Sequence, residues 1–412
     1  MIASYPLIVK TLIKPFQQEK MMHRGLIGYY EESIVAGEKV RAFVPEPLPP
    51  KEKILLDAKR QQLLERATMA LGRLDSITLL LPDPDIFLYS YIRQEAVLSS
   101  QIEGTQSSLS DLLLYEVDEA PGVPFDDVAE VSQYVGALDH GLERLNGGFP
   151  LCNRLFREMH EILLSHGRGS NKQPGEFRGS QNWIGGTRPG NAHFVPPPPH
   201  KVAECMGALE KFLHDNEQPY PTIIKAALAH VQFETIHPFL DGNGRLGRLL
   251  ISFILHHDGL LSKPLLYLSL YFKEHRAYYY ELLNRVREEG DWEAWIDFFL
   301  EGVEKTALDA VTKAQLLVQT MREDELTASQ TGRGANSMLR CLQSLSHRPV
   351  NSIKGIAEST NLSYPSVSKA IEKLERLGIV KEITGKERNR VYGYERFLRV
   401  LNGDSQEMTP TL

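Results

Sequence analysis

From residue 51 onward the chain is a succession of segments whose apolar residues recur at three- and four-residue spacing, and that period commits most of it to α-helix. Leu55, Leu56, Leu63, Leu64, Ala67 and Leu71 mark the first segment, which begins near Lys51 and breaks at Pro82 and Pro84. A second runs from about Ile86 to Ser99, ahead of a turn at Gly104, and a loop with two prolines occupies residues 120–124. Helices are then expected over residues 128–145, 152–166, 202–214, 223–236, 249–257, 271–289 and 292–321. In the segment 223–236, Ile224, Ala227, Leu228, Val231 and Thr235 fall on one face. One stretch breaks the pattern: residues 182–187 and 192–195 read as two short strands around the turn 188–191, and Pro196 to Pro199 forbid further pairing. A lone hairpin in a helical domain has no sheet to join, so its edge is open to another strand. The first 45 or so residues read as irregular, closed off by the proline-rich run 45–50.

A length of 412 residues suggests two or three domains. With 42% hydrophobic and 24% charged residues, wholesale disorder is excluded. No apolar run approaches the ~20 residues of a membrane helix, and Leu249 to Leu255 is the best attempt. Lys10 and Lys14 interrupt the apolar N-terminus and no signal-peptide pattern follows. Cys152, Cys205 and Cys341 are dispersed and odd in number, which fits a reducing compartment and neither a disulfide framework nor a zinc site. The expectation is a cytoplasmic protein without membrane contact.

Charge is unevenly placed. Residues 336–400 hold twelve Lys and Arg against six Glu, a surplus of six; since the whole chain carries −7, the remainder carries −13. This basic stretch follows a polar, Gly-containing segment, so a domain boundary is expected at residues 327–335. Beyond it come a short helix over 338–345, a second over 352–359 with Ile353, Ile356 and Ala357 inward, and a turn at 360–362. A third helix, capped by Ser363, ends at Gly378 and buries Val367, Ile371, Leu374 and Leu377. Residues 380–383 and 390–394 then form a two-stranded wing. This arrangement resembles a winged helix-turn-helix, whose third helix enters the major groove of duplex DNA. Lys369, Lys373, Lys386, Arg388 and Arg390 are the candidate contacts. Winged helices also bind proteins, so a protein-interaction role stays open.

The chemistry is concentrated in His237-Pro238-Phe239-Leu240-Asp241-Gly242-Asn243-Gly244-Arg245-Leu246-Gly247-Arg248. Gly242 and Gly244 let the backbone approach an anion without Cβ interference, and their N–H groups lie where a helix begins. Asn243 can add a side-chain donor. Arg245 and Arg248, three apart, share a helix face from which both can reach a polyphosphate. Asp241 offers the hard oxygen that Mg²⁺ takes when phosphates and waters fill its other positions. His237, four residues earlier, has an unperturbed pKa suited to accepting a proton.

The string resembles the Fic family motif, HxFx(D/E)GNGRxxR, at every fixed position, and the likeness extends over about residues 126–302. The resemblance implies a mainly α-helical Fic core that transfers AMP from ATP to a Ser, Thr or Tyr hydroxyl of a protein target. In that reading His237 deprotonates the hydroxyl, Asp241 holds Mg²⁺, Gly242, Asn243 and Gly244 line the anion hole, and Arg245 and Arg248 bind the outer phosphates. The hairpin residues Trp183, Ile184, Gly185 and Gly186 become the flap that registers the target's backbone. Upstream, Ser99, Glu103 and Gly104 resemble the (S/T)xxxE(G/N) pattern of an inhibitory helix, which implies that Glu103 reaches Arg248 and misplaces the γ-phosphate. Among Tyr278, Tyr279 and Tyr280, Tyr280 is assigned to the adenine pocket by the same likeness. His256 and His257 have no motif support and read as structural.

The expected organisation is thus a helical N-terminal region with the inhibitory helix (1–125), a Fic core with its β-hairpin flap (126–326), a linker (327–335), a winged helix-turn-helix (336–400) and a tail (401–412). Removal of AMP, transfer of another phosphate-containing group, and a nucleotide-sensing transcription regulator are the alternatives, and a homodimer is left open. An intact His237 argues against pure sensing, which needs no base.

Overall fold

A computed structural model describes residues 24–403 apart from residues 36, 82, 118–123, 216 and 218. The expected breaks at Pro82 and over residues 120–123, the first 23 residues and the tail beyond 403 lie outside the described residues. The chain opens on an antiparallel hairpin, β1 (Gly28–Val35) with β2 (Glu38–Pro45), in the register Gly28↔Pro45 to Val35↔Glu38. Helices follow: α1 (Ala58–Leu80), α2 (Pro84–Ile102), α3 (Leu109–Tyr115), α4 (Phe125–Asn146), α5 (Asn153–Leu163), α6 (Pro199–His214), α7 (Thr222–Ile236), α8 (Asn243–His257), α9 (Ser269–Glu274), α10 (Arg276–Glu289) and α11 (Trp292–Ser329). The last part comprises α12 (Ala335–His347), β3 (Val350–Ser352), α13 (Ile353–Thr360), α14 (Tyr364–Arg376), β4 (Lys381–Glu382), β5 (Val391–Gly393) and α15 (Glu395–Asn402), with strand order β3-β5-β4. Among the described residues the fold is mainly helical with two small antiparallel sheets. No helix among the described residues is long and apolar enough to cross a membrane.

Helix α7 is the axis of the core. Its apolar residues are not confined to one face: Ile223 through Ile236 are buried all round, as a helix enclosed by others must be. α8 packs along it, α1 runs along α11, and Trp295 in α11 donates its indole N–H to the Ala227 carbonyl at 3.0 Å. Local chemistry fixes the ends. Asp57 caps α1 by accepting from Arg60 N–H, and Ser108 and Asp111 cap α3 reciprocally.

Several expectations are corrected. Residues 28–35 and 38–45, expected to be irregular, are strands that pair along their full length. The expected hairpin at 182–195 shrinks to one bridge, Ile184↔Phe194. Asn191 Oδ1 draws the backbone N–H groups of Thr187 and Arg188 into a tight turn, and Gly185 and Gly186 take positive φ, so the ladder cannot propagate. Nor is that segment without a neighbour: Phe43 N–H in β2 donates to Val195 O at 2.9 Å, and Glu38 accepts from Gly190 N–H. Helix α1 begins at Ala58 and not near Lys51. The single helix expected over 271–289 divides at His275 into α9 and α10.

The segment 327–335 is only partly a connection. α11 continues to Ser329 because Ala328 is buried and because Asp324, fully buried, accepts from Tyr394 Oη at 2.9 Å and pairs with Arg396. Residues 395–402 form α15, whose Leu401 is buried and whose Leu401 carbonyl accepts from Gln94 in α2 at 2.6 Å. In α14 the buried positions are Val367, Ala370, Ile371 and Leu374; Leu377, expected inside, caps the helix and is exposed.

Candidate active site

The site forms where α7 ends and α8 begins. His237 closes α7 in the left-handed region (φ 48°), which turns the chain sharply into Pro238. Gly242, also left-handed (φ 75°), precedes the first turn of α8, where backbone N–H groups lack intrahelical partners. Between them the loop is braced from inside. Asn243 is buried, accepts from Phe239 N–H and donates to the Phe239 carbonyl, both at 2.9 Å. The sequence suggests a side-chain donor to an anion, whereas here both polar ends of the amide close the loop. Phe239 stacks on His160 at 3.8 Å, and His160 Nε2 lies 3.1 Å from Asp241 O.

Arg178 holds the His237 turn against the flap segment. It is buried and donates to the carbonyls of His237, Ile236 and Pro197. Asn182 donates to Phe239 O at 2.9 Å, so the flap segment is tied to the same loop. Trp183 is exposed beyond the Ile184 bridge, as are Gly185 and Gly186. Burial holds the His237 imidazole far below its ordinary pKa, at about 3, and the neighbouring Arg178 and Arg287 reinforce the effect. The ring is neutral near pH 7. Its Nδ1 lies 4.0 Å from Glu234, one turn earlier in α7. Glu234 is buried against Gly247, and burial raises its carboxyl to about 7.

The two arginines have different neighbours. Arg245 is fully buried, 2.7 Å from the buried Glu130 and 3.6 Å from Asp241, yet none of its three guanidinium nitrogens has a hydrogen-bond partner among the described residues. Asp241 accepts from Gly242 N–H at 2.6 Å and remains partly exposed, with Gly169 passing close by. Arg248 is the one that meets the upstream helix. Its Nε donates to Ser99 Oγ at 2.8 Å, and Nη2 donates to Ser99 O at 2.9 Å and to Glu103 Oε1 at 2.8 Å. Glu103 caps the C-terminus of α2 and its carboxylate lies directly on Gly244, where a Cβ would collide with it. Burial pushes the Glu103 carboxyl up, but Arg248 outweighs it and the net shift is downward. Tyr280 is partly exposed and borders this pair, whose Glu103 charge helps raise its hydroxyl after burial; Tyr279 is buried, 2.8 Å from His230.

The sequence reading missed Arg178, Glu130 and Glu234. Glu234 had the one available signal, a carboxylate inside an otherwise apolar helix three residues before His237. Of the five candidate DNA contacts, Lys369, Lys386, Arg388 and Arg390 are exposed, while Lys373 donates to Arg333 O at 2.7 Å and is turned back onto the chain. Arg390 Nε donates to Lys386 O.

Comparison with known proteins agrees with this geometry. Residues 61–143 match the family model described as Fic/DOC family N-terminal, and residues 150–255 the one described as Fic/DOC family. The chain is 29% identical over 257 residues to a Protein adenylyltransferase Fic of Aedes aegypti, covering 61% of this chain and 47% of that protein. It is 32% identical over 179 residues to the protein of the same name from Drosophila virilis, covering 42% and 34%. The chain thus spans less than half the length of these two relatives. A crystal structure of a Fic family protein from Desulfovibrio desulfuricans G20 superposes with a TM-score of 0.54 at 18% identity, covering 84% of this chain and 98% of that one, a likeness of fold. The two family matches adjoin, and the His237–Arg248 loop and the Glu103 helix lie inside their span, so residues 61–255 carry the likeness to the Fic/DOC family.

Proposed function

We propose that the protein is an adenylyltransferase that moves AMP from ATP to a Ser, Thr or Tyr hydroxyl of a protein target and is held in check by Glu103. The observation that carries the reading is a neutral, partly buried imidazole at the left-handed end of α7, six residues before the start of α8. Relatives named protein adenylyltransferase supply the reaction class. The target hydroxyl attacks the α-phosphorus, the new O–P bond forms as the bond to pyrophosphate breaks, and His237 takes the hydroxyl proton. Phosphate charge brought beside His237 offsets the depression caused by Arg178 and Arg287 and strengthens the base as substrate arrives. Backbone N–H groups of Asn243 and Gly244 meet the phosphates, and Gly242 lines the same hole with its N–H held by Asp241. Arg245 and Arg248 take the outer phosphates, and Arg245 also lies 3.6 Å from Asp241. Asp241, a single partly exposed carboxylate, fits Mg²⁺, which would supply charge neutralisation to the leaving pyrophosphate. Tyr280 borders the adenine. Trp183, Ile184, Gly185 and Gly186 register the target backbone from the segment anchored by β2.

In the same reading residues 126–326 are the catalytic core and residues 336–400 a winged helix-turn-helix in a cytoplasmic protein. Support for the latter comes from α14, which has an exposed outer face, and from the exposed Lys386, Arg388 and Arg390 between β4 and β5. Duplex DNA is its proposed ligand. The transfer reading is tested by incubating the protein with α-labelled and γ-labelled ATP in separate lysate reactions. Label arriving only from the α-position supports AMP transfer; label arriving only from the γ-position replaces it with a kinase-like reaction.

A further inference from the structure

The loop that follows α5 brings a further arginine to the phosphate end of the site. Gly169 takes a positive φ of 89°, and its backbone passes so close to Asp241 that a Cβ would stand 3.0 Å from Asp241 Oδ2. The residue before it, Arg168, reaches across the rim of the site. Its Nη2 lies 3.3 Å from Glu130 Oε1 in α4 and 3.5 Å from the Glu103 carbonyl at the end of α2. Glu130 Oε1 is also the oxygen that stands 2.7 Å from Arg245 Nη1, so two guanidinium groups share one carboxylate oxygen. Arg168 thus touches the residue that covers Gly244 and the residue that pairs with Arg245, while its neighbour Gly169 lies on Asp241.

Charge and geometry leave Arg168 with capacity to spare. Its side chain is 53% exposed, whereas that of Glu130 is 2% exposed. Both contacts are at the long end of the hydrogen-bond range and both use Nη2, so Nε and Nη1 are not engaged among the described residues. One carboxylate cannot neutralise two arginines, and Glu103 is already matched by Arg248. The group Arg168, Glu130 and Arg245 therefore keeps a surplus positive charge beside the start of α8. Guanidinium groups with open N–H positions are suited to phosphate oxygens, which they meet in bidentate fashion. We propose that Arg168 is a third phosphate-binding arginine, which takes the pyrophosphate end of the nucleotide from the solvent side while Arg245 takes it from within. The inference rests on the proposed nucleotide site and adds to it a residue from outside the loop 237–248. Arg168 gives up only two long contacts when it turns to a phosphate oxygen, and Glu130 keeps Arg245 as its partner. Its contribution should consequently depend on the outer phosphates and be absent for AMP.

The test is calorimetric titration of the full chain with ATP, pyrophosphate and AMP, each with Mg²⁺, in the wild-type and Glu103→Gly forms. Arg168→Ala should weaken ATP and pyrophosphate by ~10-fold in at least one of these forms while changing AMP by less than ~2-fold. Arg168→Lys should recover part of that loss, because it restores the charge without the planar fork. Lys172→Ala removes an exposed charge from the same loop and should change all three ligands by less than ~2-fold. Unchanged ATP and pyrophosphate affinity in Arg168→Ala overturns the assignment. So does an equal loss for AMP and ATP, which would make Arg168 a packing residue, or an equal loss in Lys172→Ala, which would reduce the effect to general charge. Parent chains that bind neither ATP nor pyrophosphate would bring down the nucleotide reading and this assignment together, whereas ATP binding that is indifferent to Arg168 brings down the assignment alone. If Arg168→Ala fails to fold, Arg168→Gln, which keeps a polar side chain beside Glu130, decides by the same comparison.

Discussion

Replacing Glu103 with Gly probes the contact on which regulation is proposed to depend. The wild-type carboxylate occupies one Nη2 bond of Arg248 at 2.8 Å and covers Gly244. Arg248 keeps its bonds to Ser99 Oγ and Ser99 O when Glu103 is removed, so the guanidinium stays in place while a donor and the space over Gly244 are released. A charge-assisted hydrogen bond contributes about 1.5–3 kcal/mol, and the lower bound corresponds to ~10-fold in an equilibrium and the upper to ~100-fold. Self-labelling and target labelling from α-labelled ATP should therefore rise by ~10- to ~100-fold in Glu103→Gly. Adding Arg248→Ala should remove most of the gain, because the released residue is gone. Measured by labelling rate with ATP affinity in parallel, an unchanged rate and an unchanged affinity in Glu103→Gly would refute the reasoning and leave the ion pair a packing contact. A mutant that instead loses the ability to strip AMP from a pre-modified target would favour AMP removal, with Glu103 placing the water.

Four further outcomes are expected. His237→Ala should cut transfer by ~10²- to 10⁴-fold while isothermal titration shows ATP binding largely kept, because the imidazole acts on the hydroxyl. Asn243→Ala should lower the thermal midpoint and weaken ATP binding, since it leaves the buried Phe239 N–H unpaired at ~1–3 kcal/mol while Asn182 keeps the carbonyl paired; a midpoint equal to wild type would show that the brace is dispensable. Because the Glu103 pKa is depressed, its pairing is fully present above the ordinary carboxylate pKa and is lost only as pH falls through the lower folded value. The ratio of Glu103→Gly to wild-type labelling should consequently stay level from pH 8 to about pH 5, and a ratio collapsing within that window would contradict the pairing. Arg388→Ala in the full chain should reduce the slope of log affinity for duplex DNA against log salt by about 0.9, and no duplex binding even at low salt would make the C-terminal module a protein-binding element.

The sequence by itself determined the helical character of the chain and the identity of its chemical loop, because both are written in short-range order. A three- and four-residue apolar period specifies α7 and α8, and the residues from His237 to Arg248 are consecutive, so their chemistry is visible without a fold. The role of Glu103 was accessible only through resemblance, since nothing in residues 99–104 alone points 145 positions ahead to Arg248. Tertiary structure decided which side chains are spent and which are free. Arg245 and Arg248 are equivalent by spacing, yet packing gives one to Glu130 and the other to Ser99 and Glu103. Asn243 looks like an exposed donor in a Gly-Asn-Gly turn and is instead consumed by Phe239. The strands expected at 182–195 gave way to a single bridge held by β2, and residues 327–329 of the expected linker became the end of α11, because Val195 and Asp324 find partners far along the chain. Local hydrogen bonding and periodicity are properties of neighbouring residues, whereas the pairing of a single buried charge depends on which helix happens to lie across from it, and no periodic signal carries that information.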